Sequence, residues 1–405
     1  MAEKETVRGG KYIERLLGIT ALFVLAAAWI IGSSRNREDL TPHLKQALPE
    51  ADRFSPISEG TYAAWKDTPH PYTIGTLATG RAQGYGGEIR VVVSIDATGK
   101  ITGISLIEHK ETGAFLQRVL KKGFIDSLLG KSCADNFQAG QGIDAVTGAT
   151  YTSNALAEAV CQAARKTASK NLGMEFPAQP AGKIVFGLPE IVLLFLFSFG
   201  IIGRCKRCAF KKAARWISML TGLVFLGFIF SKPLNLVIIN RFLLGLWLPW
   251  REHIYWYVLL AGILLFITAG KQNPYCGWFC PFGAAQECLS LIGGTRVRPS
   301  NHIRVIGRWF QRFAALAAIV IALLYRNPGM SSYEVFGAFF QLIGSNFQFG
   351  LLGIVLVAAL FIRRPWCGYL CPMRPVTDFL RMMHNWAGDI YTKIRPARPH
   401  PSNRE

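Results

Sequence analysis

Tyr275-Cys-Gly-Trp-Phe-Cys-Pro281 and Trp366-Cys-Gly-Tyr-Leu-Cys-Pro372 are near copies of one another, and how they are read decides the fold. Each lies just past a strongly apolar run, and both cysteine pairs are offset by 91 residues. Working outward, the repeated unit is larger than the motif. It consists of an apolar span, an apolar half-segment, a second span and the cysteine turn. The first unit holds 216–230, 234–248 and 254–270, and the second holds 313–325, 333–343 and 349–362. Two further apolar stretches, 16–32 and 184–203, bring the expected spans to six. Several are shorter than the ~20 residues a straight crossing needs, so their flanks must contribute; 305–309 extends the fifth. Pro189 and Glu190 interrupt the second. The half-segments, one of them broken by Asn240 and Arg241, read as interfacial or re-entrant pieces.

The chain has 405 residues, 51% of them hydrophobic, and a net charge of +20. So basic a chain raises the question of nucleic acid. The excess Lys and Arg sits beside apolar segments instead, which is the pattern of cytoplasmic loops, and no nucleic acid partner is expected. Arg204, Lys206, Arg207, Lys211, Lys212 and Arg215 crowd one connection. Arg296, Arg298, Arg304, Arg308 and Arg312 crowd another, and Arg363, Arg364, Arg374 and Arg381 follow the last span. The expected organisation follows: a cytoplasmic N-terminus (1–15), a membrane anchor (16–32), an extracytoplasmic soluble domain (33–183), a helical membrane domain with an internal repeat (184–375) and a basic cytoplasmic tail (376–405). For 16–32 the rival reading is a secretory signal peptide. Its small-residue run Ala26-Ala27-Ala28 lies inside the apolar stretch rather than after it, which favours the anchor. The fold class is a multi-domain membrane protein, an α+β domain joined to an α-helical bundle.

In the soluble region, 88–95 and 101–107 alternate as strands about the turn Asp96-Ala-Thr-Gly99, a hairpin pattern. Farther on, Asp144-Ala-Val-Thr-Gly-Ala-Thr150 precedes an Ala-rich helical stretch, 155–170, with Ser153 or Asn154 as N-cap. Thr150 would then lie just before a helix N-terminus, where a phosphate gains from free N–H groups and the helix dipole.

The stretch Asp144-x-x-Thr147-Gly148-Ala149-Thr150 resembles the D-x-x-[S/T]-G-A-T signature of FMN-binding domains, such as those of the flavin subunits of Rnf and Na+-pumping quinone reductase complexes. Gly84-Tyr-Gly-Gly87 and Glu111-Thr112-Gly113 are similar to the same family more loosely. The resemblance covers roughly 75–172. It implies FMN joined through its phosphate to Thr150 by an extracytoplasmic flavin transferase, with Asp144 assisting.

Of nine cysteines, Cys133 and Cys161 fall outside, as a disulfide or as two buried thiols. Cys205, Cys208, Cys276, Cys280, Cys288, Cys367 and Cys371 fall near the cytoplasmic face. Two thiolates from each turn, Cys276 and Cys280 with Cys367 and Cys371, supply the four that a [4Fe–4S] cluster takes. The glycine in each turn allows close backbone approach, and the proline stops a regular helix. Zinc and a dithiol–disulfide pair are the rivals. Cys205 and Cys208, even with Cys288, are one thiol short of a second centre. Trp278, Trp366 and Tyr369 fit an interfacial aromatic belt. The seven histidines include no pair at one-turn spacing within a span, which argues against a bis-His haem; His109 reads as a surface residue.

An FMN domain followed by spans that end in paired C-x3-C-P turns resembles the NosR/NirI family of membrane flavoproteins. The chain ends about 34 residues after Cys371, without the ferredoxin domain of the larger members, so its layout is similar to the short PceC/CprC-type relatives. The resemblance implies an electron-transfer component of the cell membrane, with the quinone/quinol pool, the lipid bilayer and an extracytoplasmic reductase as partners. The alternative it leaves is a non-catalytic redox-sensing regulatory or maturation factor for a reductase.

Overall fold

The computed structural model describes residues 2–34, 39–135, 137, 146–171, 173–176, 184–202, 210–269, 273–294 and 297–394. The chain divides into two compact units. One comprises Met1–Ile184, Leu234–Glu252 and Leu316–Ile354, and the other Val185–Pro233, His253–Ala315 and Val355–Glu405. The two half-segments therefore fold with the soluble domain.

In the first unit, five strands form an antiparallel sheet in sequence order: β1 Arg53–Ser58, β2 Thr61–Lys66, β3 Tyr72–Gln83, β4 Glu88–Ile95 and β5 Ile101–His109. The expected hairpin is β4–β5. Its turn is held by Asp96, whose Oδ1 accepts from the backbone N–H groups of Thr98 (2.8 Å) and Lys100 (2.9 Å), and Gly99 takes a φ of 81°. Alternation sends Ile89, Val91, Val93 and Ile95 into one core with Ala155, Leu156, Ala159, Val160 and Ala163 of the helix Thr150–Asn171. Val92 faces the opposite way, into a smaller core with Leu44, Ala47 and Leu77. The alanines have a packing reason. A side chain on Gly80 of β3 would strike the carbonyl oxygen of Ala159, so helix and sheet approach as backbones. Cys133 and Cys161 are both buried here as free thiols, with no disulfide between them.

Among the described residues, three helices are long and apolar enough to cross a membrane: Glu14–Ser34, Lys211–Ile229 and Asn301–Leu324. Only 17%, 33% and 28% of their apolar windows is buried, so these faces want an apolar solvent. The chain is a membrane protein. Leu188–Ile201, Ile254–Thr268 and Asn346–Phe361 are apolar but shorter. The third long helix includes 305–309, the flank that the short apolar run 313–325 requires. Within the first unit, Gly32 meets the backbone of Leu323, a small-residue contact of the kind that brings membrane helices close.

Four local expectations are corrected. Pro189 and Glu190 begin a helix, Leu188–Ile202, rather than interrupt one: Glu190 accepts from the Gly187 N–H at 2.8 Å, and proline is favoured in a first turn because its missing N–H is not needed there. Pro281 likewise opens a helix, Pro281–Ile292, after a π-helical turn Tyr275–Phe279. The attachment helix begins at Thr150, so Ser153 and Asn154 lie inside it; the Ser153 hydroxyl donates back to the Ala149 carbonyl at 3.1 Å. Trp366 is fully buried, edge-on to Phe282, and so is core rather than interfacial belt.

Candidate functional sites: the flavin loops and the cysteine quartet

In the sheet unit the described signature residues lie at the start of the helix Thr150–Asn171. Thr150, at the helix start, is exposed, as is Thr147; Ala149 is buried, and Gly148 takes a φ of 82° that favours glycine. Asp144 lies outside the described residues. Glu111 and Thr112 are buried just before the helix Gly113–Lys121. Glu111 Oε2 accepts from the Gly86 N–H at 3.1 Å, and any side chain on Gly84 would collide with its other oxygen. Glycine at 84 is thus what lets a carboxylate lie under the 84–87 loop. Burial pushes the Glu111 carboxyl up to about 7, against the Gly86 N–H and Arg241, which favour its charged form.

The fit to FMN can be tested on polar groups. Thr112 Oγ1 is buried without a hydrogen-bond partner among the described residues, and the Thr152 hydroxyl lies against the Glu111 carboxylate. Such groups are costly unless something satisfies them. They lie beside the attachment helix start and suit a polar cofactor. Sequence reasoning does not single out Thr152; its place two residues past Thr150 is the available signal.

Arg241 and Glu334, which in sequence look like breaks in or edges of the half-segments, are central to this unit. Arg241 is fully buried, and its guanidinium donates to the carbonyls of Gly84 and Tyr85 (2.8 Å to the latter) and to Gln83 Oε1 (2.9 Å). Asn235 Nδ2 donates to the Tyr85 hydroxyl at 2.6 Å. Tyr85 in turn packs against Phe115 and Tyr151, with ring centroids 5.8 and 6.3 Å away. From the turn just before the second half-segment, Asn327 Nδ2 donates to the His109 carbonyl at 3.1 Å, and Ile343 of that half-segment lies against Gly148. His109 is half-buried rather than a surface residue.

In the other unit the four turn cysteines come together. Each of Cys276, Cys280 and Cys371 is close enough to feel the charge of other members of the quartet. Burial pushes all four thiols up, Cys280 to about 12, and mutual proximity adds to the rise in these three. Side-chain amides point at two sulfurs: Asn273 Nδ2 at Cys276 Sγ (3.4 Å) and Gln286 Nε2 at Cys367 Sγ (3.5 Å). Gln311 Nε2 ties the second turn by donating to the carbonyls of Cys367 (3.2 Å) and Cys371 (2.8 Å). Among the described residues no three His, Cys, Asp or Glu side chains gather as a shell around a single ion. Four free cysteines with N–H donors facing sulfur fit a [4Fe–4S] cluster in kind and number. Cys288 is half-buried on the helix Pro281–Ile292; Cys205 and Cys208 lie outside the described residues.

Beside the quartet, the nearly buried Glu287 meets three guanidiniums: Arg215 (2.7 Å), Arg363 and Arg364. Burial alone would raise its carboxyl, but the three arginines outweigh it and hold it down to about 2.

The comparisons with known proteins agree with both sites. An FMN-binding domain matches residues 84–165, and a 4Fe-4S binding domain matches 252–299 and 346–388. Protein NirI of Paracoccus denitrificans is 27% identical over 199 residues, 45% of this chain and 29% of that protein. Regulatory protein NosR of Pseudomonas aeruginosa is 29% identical over 174 residues, 37% of this chain and 23% of its own length. Over these stretches the chain is similar to the NosR and NirI proteins. One component of the Na(+)-translocating ferredoxin:NAD(+) oxidoreductase complex of Acetobacterium woodii is 36% identical over 96 residues, 21% of this chain and 44% of that component. The chain spans less than a third of the length of the NirI and NosR proteins it matches. This NosR/NirI-like chain carries an FMN-binding domain and a 4Fe-4S binding domain, and the residues present suit FMN and an iron–sulfur cluster.

Proposed function

We propose that this chain is a membrane-bound electron-transfer flavoprotein. FMN is joined covalently to Thr150 by a flavin transferase, and Cys276, Cys280, Cys367 and Cys371 hold a [4Fe–4S] cluster. Electrons pass between the quinol pool or the cluster and the flavin, and from the flavin to a reductase outside the cytoplasm. FMN suits this junction because it takes one or two electrons; the protein binds, orients and tunes it. The observation that supports the reading is the presence of two candidate sites in one chain: buried polar groups beside an exposed Thr150, and four free thiols, two of them faced by amide donors. Sidedness rests on the charge bias. By it both cysteine turns face the cytoplasm of a cell-membrane protein with six spans, four of them in two repeats, and the flavin domain lies outside.

The test is optical. Purified protein in membrane vesicles is mixed with a quinol, and the flavin spectrum is followed. Bleaching in the wild type, absent in the Thr150→Ala variant, is expected. A loaded flavin that no quinol and no cluster reductant bleaches would overturn the reading. The similarity to NosR, a regulatory protein, favours a second reading, a redox-sensing or maturation factor. In that case Thr150→Ala lowers the abundance of the partner reductase and leaves its specific activity intact.

A further inference from the structure

Arg364 stands out beside the cysteine quartet. Its backbone is left-handed, with φ 52° and ψ 58°, a conformation costly for a residue bearing a Cβ and kept where the surroundings require it. One amino group donates to the Cys276 carbonyl at 3.0 Å. Its guanidinium carbon lies 3.7 Å from the point where a side chain on Gly283 would begin, and Cys280 Sγ lies 3.6 Å from the same point. The charge is felt at Cys276, Cys280 and Cys367. Its Nε–H is a buried donor without a partner among the described residues, a condition that buried donors rarely tolerate. Three guanidiniums share one carboxylate here, so the group around Glu287 keeps a net positive charge next to four cysteines.

We propose that Arg364 is a positioning residue that tunes the cluster: it supplies a fixed positive charge and an N–H donor to the sulfur face, raising the reduction potential. This rests on the assignment of the quartet to an iron–sulfur cluster. Adding one electron makes the centre one charge more negative. A neighbouring cation and donated hydrogen bonds favour that reduced state, since charge and hydrogen bonding to sulfur are among the levers that set such potentials. Glu287 works in the opposite sense while holding the three arginines in place.

The test is a dithionite titration monitored by electron paramagnetic resonance on the full chain in detergent, beside iron and acid-labile sulfide analysis. Arg364→Gln is expected to keep its iron and to lower the potential by the equivalent of roughly tenfold in the reduced-to-oxidised ratio, about 59 mV for one electron. Arg364→Lys, which keeps the charge, falls between it and wild type. Arg363→Gln, whose side chain is mostly exposed, moves the potential least. An iron-loaded Arg364→Gln variant titrating with wild type would overturn the proposal and leave the quartet standing. Wild-type protein without iron or sulfide would sink both. Should the glutamine variant lose its cluster, Glu287→Gln decides: a raised potential supports the assignment, and an unchanged or lowered one overturns it.

Discussion

Replacing Arg241 by methionine tests whether the first half-segment holds the flavin loop. Methionine roughly preserves the length of the side chain and removes every donor. The wild-type guanidinium is fully buried and serves the Gly84 and Tyr85 carbonyls, Gln83 Oε1 and, through Nε, the Leu246 carbonyl at 3.4 Å. Each hydrogen bond from a charged donor is worth roughly 1.5–3 kcal/mol, and removing one member of a buried charged set costs about 3–5 kcal/mol because its partners stay buried. Glu111 also loses a nearby cation. If about 3 kcal/mol is lost locally, opening of the loop becomes on the order of a hundredfold more frequent. The reporters are the N–H of Gly84, bonded to the Gly87 carbonyl at 2.8 Å, and that of Gly86, bonded to Glu111. Hydrogen exchange read by mass spectrometry on peptides covering 83–88 is expected to accelerate by that factor, and covalent flavin loading to fall with it. Arg241→Lys, a point charge without the planar fork, restores part of the protection. Unchanged exchange in the methionine variant would refute the clamp.

Thr150→Ala is expected to abolish flavin fluorescence that survives denaturing electrophoresis, whereas Thr150→Ser, which keeps a hydroxyl, retains it. Alanine at Cys276 or Cys371 lowers iron and acid-labile sulfide to near background, while Cys288→Ala leaves both unchanged. Burial raises the Glu334 carboxyl to about 8, against its bond from the Leu236 N–H. The folded state therefore holds a proton that the unfolded state has lost, and stability declines as pH rises from about 4.5 to 8, by about 1.4 kcal/mol per pH unit. Glu334→Gln removes that contribution, and thermal unfolding in detergent across this range checks the flatter slope.

Periodicity and short motifs make much of this molecule legible. The β4–β5 hairpin, the attachment helix and the extension of the Asn301–Leu324 helix through 305–309 all follow from local pattern. Single polar residues inside apolar runs mislead. Arg241 reads as a break in a hydrophobic stretch because the carbonyl it serves lies 157 residues away in sequence. Glu287 is one acid in an apolar helix until Arg215, Arg363 and Arg364 are folded around it. Pro189 and Glu190 mislead for the opposite reason. Composition marks them as breakers, whereas position makes one an N-terminal helix residue and the other its cap.

The two half-segments suggest why apolar stretches too short to cross a bilayer are present at all. At the start of the first, Asn235 caps its own backbone at Ile238, and in the turn leading into the second, Asn327 does the same at Gly329. Each asparagine then directs its amide at a different part of the flavin domain, Tyr85 in one case and the end of β5 in the other. The two segments are also joined, by Glu334 to the Leu236 N–H and, through the turn that leads into the second, by Asn240 to Ser331 at 2.8 Å. A side chain on Gly329 of that turn would sit 2.5 Å from the Glu111 carbonyl oxygen, so the turn meets the flavin site backbone to backbone. Apolar surface hides these pieces from water, and the polar groups named here are directed at one domain or at each other. Because buried polar groups are costly when unpaired and specific in direction when paired, such an arrangement fixes the flavin loops in one geometry more strictly than hydrophobic contact alone could.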